Sequence, residues 1–316
     1  MAVSVGNNIT ENDYNTLRSR VNVLLGSPSG TTEVNSRGYG QTLGSSTVSA
    51  NSIITAAQWD DLRGDIEKVA VHQTGADPSL TNVAAGDSIT AAIFNAYETT
   101  VATAEASPFA IDAGQGSTEA GITSQRTTDW NGTINHEFTV TFADANTRKA
   151  FFNAGGYIIF SASLAYTGSE AKTLDWQTML SDAGSMGVNY LEAFNISGTG
   201  NVSARGTPLT IGNYDLTGTY QDLFSKGGAN PYSENLYKIQ GKSSATNSIT
   251  FNVEFQDNDV GDQAPLNSGG SDGVATPGPV VDEDVKGTIT STIQMFRPTG
   301  SNVSVAAPAF ANSSTL

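Results

Sequence analysis

One six-residue pattern occurs three times in the first third of the chain: Ile9-Thr10-Glu11-Asn12-Asp13-Tyr14, Ile54-Thr55-Ala56-Ala57-Gln58-Trp59 and Ile89-Thr90-Ala91-Ala92-Ile93-Phe94. In each copy the threonine is a natural helix cap, because its hydroxyl accepts a hydrogen bond from a backbone N–H group that the first helical turn leaves without a partner. The isoleucine before it and the aromatic residue four positions after it are spaced as a hydrophobic staple. The pattern therefore predicts three helices that begin in the same way.

The three predicted helices also share an apolar stripe. Apolar residues follow each aromatic residue at positions +3, +7 and +10, which places them on one helical face. Helices this short are marginal alone, so the stripes must pack against each other or against a partner. We expect a docking and assembly module carried by Tyr14, Leu17, Val21, Trp59, Leu62, Ile66, Phe94, Tyr97 and Val101.

The third copy departs from the other two. It has Ile93 where a capping box needs Glu or Gln, and its stripe ends on the small residue Ala104. We therefore expect the third helix to lie against the β-rich part of the chain or against a partner.

After residue 105 the apolar period changes from the helical spacing to two. The segments 136–142 and 248–255 alternate apolar and polar residues, as half-buried strands do. Many short strands, Gly-rich turns and two short helices are typical of an antiparallel sandwich. The expected fold class is α+β, with a helical module over residues 1–105, a β-sandwich over 106–298 and an extended C-terminal arm over 299–316.

Composition excludes several classes of function. The 316 residues contain no cysteine, which excludes disulfides and thiolate chemistry. The formal net charge of −16 argues against nucleic acid, because phosphate binding needs clustered Lys and Arg. The first residues lack a basic and an apolar signal segment, and no apolar run approaches a membrane span. We expect synthesis in a cytoplasm and no membrane insertion.

The residues that most often carry chemistry are few. Of the two histidines, His72 is expected to hydrogen-bond near a helix end and His136 to face solvent at the start of a strand. Neither accompanies a nucleophile signature. Trp59, Trp130 and Trp176 could line a sugar-binding face, but core packing is the commoner role for tryptophan.

An acidic segment follows the strongest predicted strand. Asp257, Asp259 and Asp262 sit at spacings that resemble the first part of a calcium loop, although no Glu closes the loop at the required position. The commoner interpretation is an acidic, solvated hairpin tip. Glycoside hydrolysis by paired carboxylates would need an apolar pocket, of which the sequence gives no sign. A structural calcium ion is the one cofactor we consider.

Several segments together resemble a known family. They are Ile9-Thr10 through Leu24-Leu25-Gly26, Gly38-Tyr39-Gly40-Gln41, Trp59-Asp60-Asp61-Leu62-Arg63, Val71-His72-Gln73-Thr74-Gly75, Phe151-Phe152-Asn153-Ala154-Gly155-Gly156, Phe160-Ser161-Ala162-Ser163, Ser233-Glu234-Asn235-Leu236-Tyr237 and Asp282 through Ser291 with Arg297-Pro298. The combination is similar to virion structural proteins of tailed phages that infect marine cyanobacteria and related marine bacteria. The likeness covers most of the chain and brings no catalytic residues with it.

The resemblance implies a tail- or fibre-associated subunit of the virion that assembles with copies of itself and with other virion proteins. Trimers are our expectation for the self-assembly, since closed symmetric oligomers are the rule. Two alternatives stay open without catalysis: a receptor-recognition module that binds a host surface glycan or protein, and a capsid decoration protein. A glycan-cleaving tail enzyme is the third alternative.

Overall fold

The computed structural model describes residues 4, 8–28, 36–202, 216–259, 262–263, 280–281 and 283–316. Helices α1 (Glu11–Leu25), α2 (Ala56–Thr74) and α3 (Ala91–Ala106) form the N-terminal module, and α4 (Ala145–Asn153) and α5 (Ala171–Ala183) lie between strands of the following part. Two antiparallel sheets make up that part. The predicted α+β class with a β-sandwich is confirmed.

All three repeated threonines cap helices. The side chains of Thr10, Thr55 and Thr90 accept hydrogen bonds from backbone N–H groups three residues on. In α1 and α2 the side chain of this third residue, Asp13 or Gln58, also accepts a hydrogen bond from the backbone N–H group of the capping threonine, which completes a capping box. The third start lacks this return bond, as its Ile93 predicts, because an aliphatic side chain has no acceptor.

The three N-terminal helices run in the same direction. The aromatic residues that occupy the same position of each helix meet at one end of the bundle: the Trp59 ring centroid lies 6.1 Å from that of Tyr14 and 6.1 Å from that of Phe94. Towards the C-terminal ends of the helices, one small space is lined by residues at another set of equivalent positions: Val21, Ile66 and Val101. Equivalent residues can share a level only if the helices are parallel. Each connection must therefore return along the bundle, which explains why the segments 26–55 and 75–90 are long.

Helix α3 packs against the other two helices of the module. Arg20 on α1 makes ion pairs with Glu98 (2.5 Å) and Glu105 (2.7 Å) on α3. The C-terminal end of α2 bonds to the backbone of residues 112 and 154 and so meets the following part of the chain. The apolar stripe of α3 packs against α1 and α2 instead of the sandwich, which corrects that half of the expectation. Contact of α3 with a partner stays a prediction.

The strands form two main sheets and one small hairpin within the described residues. In chain order the strands are β1 (Gly116–Arg126), β2 (Gly132–Thr141), β3 (Tyr157–Ala165), β4 (Ser185–Val188), β5 (Ala193–Ser197), β6 (Asn201–Val202), β7 (Gln221–Gly227), β8 (Leu236–Ala245), β9 (Ser248–Asp257), β10 (Asp262–Gln263), β11 (Val280–Val281), β12 (Thr288–Pro298) and β13 (Ala309–Asn312). One sheet has the order β1-β12-β3-β4-β5 and the other β13-β2-β9-β8-β7-β6, while β10 pairs with β11. The sandwich core between the sheets is aromatic, with Phe138 against Phe160 and Phe251.

The C-terminal segment belongs to the sandwich. The sequence predicts an extended arm over residues 299–316, and much of it is extended, but β13 pairs with β2 from Ala309↔Thr141 to Asn312↔Phe138. The backbone of Leu316 donates to the Ser124 hydroxyl at 2.8 Å, which also fixes the chain end. The prediction of a separate arm is therefore corrected: the small residues and prolines lead into an edge strand.

The aromatic contact at Trp59 gives a direct test of the bundle. We expect Trp59→Ala to lower the free energy of unfolding by about 3–5 kcal/mol, because it leaves a cavity between three helices. Thr103→Ala, at an exposed position of α3, is the matched control and should change stability little. Urea unfolding followed by circular dichroism measures both, and equal midpoints for Trp59→Ala and the unmodified chain would contradict the arrangement.

Candidate functional site

The nine residues that the sequence offers for assembly form the interior of the helical module. Their side chains are at most 2% exposed. The stripes therefore bury against each other, and the alternative that they bury against a partner is corrected. Any surface that the module presents to another protein consists of the outward-facing residues between these stripes.

A seam joins the helical module to the sandwich, and His72 lies at its centre. The buried His72 ring donates through Nε2 to the Ala154 carbonyl oxygen at 3.0 Å, while the His72 backbone carbonyl accepts from the Asp112 N–H group at 2.9 Å. Burial lowers the pKa of His72 from 6.5 to about 4, although the bond to Ala154 acts in the opposite direction. The expected hydrogen-bonding role of His72 is confirmed.

The segment 36–41 completes the seam. The buried Asn153 side chain donates to the carbonyl oxygens of Ser36 and Gly38, the latter at 3.1 Å. The Tyr39 hydroxyl donates to the Pro108 carbonyl at 2.7 Å. Buried residues of the module and of the sandwich form one continuous hydrophobic cluster. These contacts hold the two parts together as one body.

A polar cleft runs along the seam. It has a volume of about 360 Å³ and is lined by Ser27, Pro28, Tyr39, Gly40, Gln41, Asp144, Asn146, Thr147, Ala150, Ser304, Val305 and Ala306. Asp144 caps α4 by accepting from the Thr147 N–H group at 2.7 Å, a bond that lowers the pKa of this carboxyl. Gln41 donates to the Ser304 carbonyl at 3.0 Å, and both residues line the cleft. The lining thus includes hydroxyl, amide and carboxylate side chains around a space large enough for a small polar molecule.

His136 does not face solvent. Its ring is fully buried between Ser291, whose hydroxyl lies 3.0 Å from Nδ1, and Asn312, whose side-chain oxygen lies 2.7 Å from Nε2. This expectation was wrong, and the strand period explains why: residue 136 lies on the same face of β2 as Phe138 and Val140. The alternation in the sequence already contained that signal.

The tryptophans have the expected packing role. All three are at most 4% exposed, and the rings of Trp130 and Trp176 meet edge to face at 5.0 Å. Trp176 also lies 6.4 Å from Phe255. No ring is therefore presented to a sugar.

The acidic segment contains a buried ion pair. Lys172 Nζ lies 2.9 Å from Asp257 Oδ2 and 3.8 Å from Asp259 Oδ2, and the two carboxyl side chains are 0% and 14% exposed. The side chain of Asp262 lies outside the described residues. An ammonium group thus occupies the position beside Asp257 where the sequence suggested a divalent cation, and across the described ranges no group of three or more His, Asp or Glu residues could hold a metal ion.

Sequence reasoning missed Lys172. It lies in the first turn of α5, in a segment whose local pattern predicts only a short helix. Its partner is on β9, far along the chain, so the pair arises from the tertiary fold alone. Calcium binding by the three predicted aspartates stays a prediction.

Comparison of the chain with protein-family models, with curated proteins and with solved structures gave no match. Among the helices that the structure describes, none is both long and apolar enough to cross a bilayer. The site must therefore be interpreted from its own geometry.

The buried His72 predicts a pH dependence of stability. The unfolded chain binds a proton at this residue near pH 6.5, whereas the folded chain does so only near pH 4. Between these values the unfolded state holds more protons, so the free energy of unfolding falls as the pH is lowered, by about 2 kcal/mol at pH 5 relative to pH 7.5.

Urea unfolding at pH 7.5 and pH 5 measures this loss. His72→Gln keeps a hydrogen-bonding side chain that does not titrate, so we expect it to reduce the pH dependence by about 2 kcal/mol. The remaining pH dependence of stability includes a contribution from His136, because burial also lowers the pKa of that residue. An identical loss in the variant and the unmodified chain would disprove the role of His72.

Proposed function

We propose that this protein is a structural subunit of a tailed-phage particle, associated with the tail or a fibre, that assembles without catalysing a reaction. The observation that carries the proposal is that side chains able to act as acids, bases or nucleophiles serve structural contacts. His72, His136 and Lys172 are each buried in contacts that join separate elements of the fold. The resemblance of the sequence segments to marine phage virion proteins supports the same assignment.

The seam adds a mechanical argument. A subunit of a particle must transmit force between its neighbours without opening internally. Here side chains on both parts bond across the seam, as Asn153 does to residues 36 and 38 and Tyr39 does to residue 108. The helical module and the sandwich therefore move as one block, which suits a building element.

An edge of the five-stranded sheet offers a surface for a neighbouring subunit. Strand β5 ends that sheet, so one side of its backbone has no strand partner within the described residues. Leu191 and Ile196, on the β4–β5 hairpin, are each 42% exposed, which is unusual for large apolar side chains in this protein. An open edge with apolar side chains is a ready template for pairing with a second chain. We assign this edge to contact between copies of the chain.

The assembly proposal is tested on the full chain by analytical ultracentrifugation. We expect concentration-dependent oligomers, and we expect the double variant Leu191→Lys/Ile196→Lys to weaken them at least tenfold, because charges on an edge oppose pairing. Ile53→Lys, which changes the most exposed large apolar side chain among the described residues at 88%, is the matched control and should leave assembly unchanged. A chain that stays monomeric at all concentrations, alone and with virion proteins, would contradict the proposal.

The polar cleft favours one second candidate function. A space of about 360 Å³ lined by Gln41, Asp144 and Thr147 suits a small saccharide, whose hydroxyl groups pair with carboxylate and amide groups. On this proposal the chain recognises a host surface glycan. Binding of host envelope glycans by the full chain, lost in Asp144→Ala/Gln41→Ala and kept in Leu191→Lys/Ile196→Lys, would favour recognition over assembly at β5.

The capsid decoration alternative differs from the tail or fibre proposal and from glycan recognition in where the chain lies in the particle. A cryo-electron microscopy map of the intact virion, with this chain located in it, distinguishes tail, fibre and head. Density on the head surface would favour decoration, and density in the tail or fibre would support the main proposal.

A further inference from the structure

The ion pair between Lys172 and Asp257 is the most deeply buried pair of opposite charges in the described part of the chain. The two side chains are 1% and 0% exposed, and Nζ lies 2.9 Å from Oδ2. The other lysine–carboxylate pairs have a lysine side chain that is at least 20% exposed. The Lys172–Asp257 pair is therefore shielded from solvent, whereas the other lysine–carboxylate pairs are in contact with it.

The surroundings of the pair are aromatic. Trp176 lies one helical turn beyond Lys172 on α5, and Phe255 lies two residues before Asp257 on the same face of β9. The Trp176 ring is 5.0 Å from Trp130 and 6.4 Å from Phe255. Two full charges are costly in such surroundings, because the loss of hydration exceeds the attraction unless further polar groups compensate.

Transfer of one proton removes both charges. An ammonium and a carboxylate become an amine and a carboxylic acid when a proton passes from Nζ to Oδ2, and no outside acid or base is needed. Burial disfavours the charged form of each group, whereas the Asp259 carboxylate 3.8 Å from Nζ favours the ammonium, so the proposal requires the uncharged pair only as the form that reacts. The uncharged pair is also the reactive pair, since an amine has a free electron pair and an un-ionised carboxyl carbon accepts it.

The backbone positions the amine and a second carboxylate. Lys172 Nζ donates to the Glu283 carbonyl oxygen at 2.7 Å, which orients the nitrogen. The N–H groups of Asn258 and Asp259 donate to the buried Asn235 side chain at 2.9 and 3.0 Å, and this holds the Asp259 carboxylate 3.8 Å from Nζ. A nucleophile, an acyl group and a proton carrier are therefore held together by separate elements.

We propose that Lys172 and Asp257 condense to an intramolecular isopeptide bond, with Asp259 as the proton relay. The Nζ electron pair forms a bond to Cγ of Asp257, and the bond from Cγ to its hydroxyl oxygen breaks. The proton that leaves Nζ passes through the Asp259 carboxylate to that hydroxyl, which departs as water. The step balances without an oxidant or co-reactant, and the Asp259 side chain is 14% exposed.

Several features place the pair in a geometry for reaction. Lys172 Nζ lies 2.9 Å from Asp257 Oδ2, so the nitrogen is in direct contact with the carboxyl group whose carbon it would attack. Holding reacting groups in contact removes much of the activation free energy of a bimolecular step. The resulting amide keeps a hydrogen-bonding N–H group near the Glu283 carbonyl and removes two buried charges. It also ties α5 covalently to the end of β9, whichever particle or partner the chain serves.

Intact mass spectrometry of the denatured full-length chain tests the proposal. We expect a mass lower than the sequence mass by one water molecule, and a tryptic digest in which cleavage after Lys172 is lost and one cross-linked peptide contains both residues 172 and 257. Lys172→Arg and Asp257→Ala should each show the full sequence mass. A full sequence mass for the unmodified chain, with normal cleavage after Lys172, would overturn the proposal whether or not these variants fold.

Two further variants test the roles of the neighbouring groups. Asp259→Asn should slow the mass loss about 100-fold after synthesis, because it removes a general acid–base group. Lys286→Arg changes the exposed pair with Glu170, at a similar distance of 3.0 Å, and is the matched control that should keep the mass loss. Equal rates in Asp259→Asn and the unmodified chain would exclude the relay, and loss of the bond in Lys286→Arg would contradict the assignment to residue 172.

Discussion

The contact between Trp59 and the aromatic residues at the equivalent positions of α1 and α3 determines the arrangement of the N-terminal module. Since Tyr14, Trp59 and Phe94 each follow a threonine cap by four residues, bringing them together brings three helix N-termini together. The helices must then be parallel, and each connection must return along their length. Part of the first return is the segment 36–41, which forms one wall of the seam with the sandwich. The packing around Trp59 and the joint between the two parts are thus linked through this first return segment.

The seam and the acidic site share a physical principle. Both bury polar groups in an otherwise apolar core, and both use elements distant in sequence to satisfy them: His72 with Ala154 in one case, Lys172 with Asp257 in the other. Such contacts specify one arrangement, because a shifted alternative would leave a buried polar group without its partner.

Local patterns in the sequence predicted the elements that depend on local physics. The threonine caps, the apolar stripes and the alternating strands β2 and β9 follow from side-chain period and capping chemistry, which a single segment contains. The direction of the three helices could not be predicted, because it depends on which ends pack together. Lys172 has no local signal for the same reason. His136 is a different case: its position relative to Phe138 contained the answer, but polarity was given more weight than strand period.

The late strands of the chain have a consequence for synthesis. Strand β12 lies in the middle of the five-stranded sheet, between β1 and β3, and β13 covers the edge of the other sheet. Because synthesis runs from the N-terminus, β12 and β13 are made after the strands that they pair with, so both sheets lack a member until residue 312 has left the ribosome. A product that stops before residue 288 would expose unpaired strands along the sandwich core and be a target for proteolysis. The order of strands along the chain therefore makes β12 and β13 a completeness check on the sandwich.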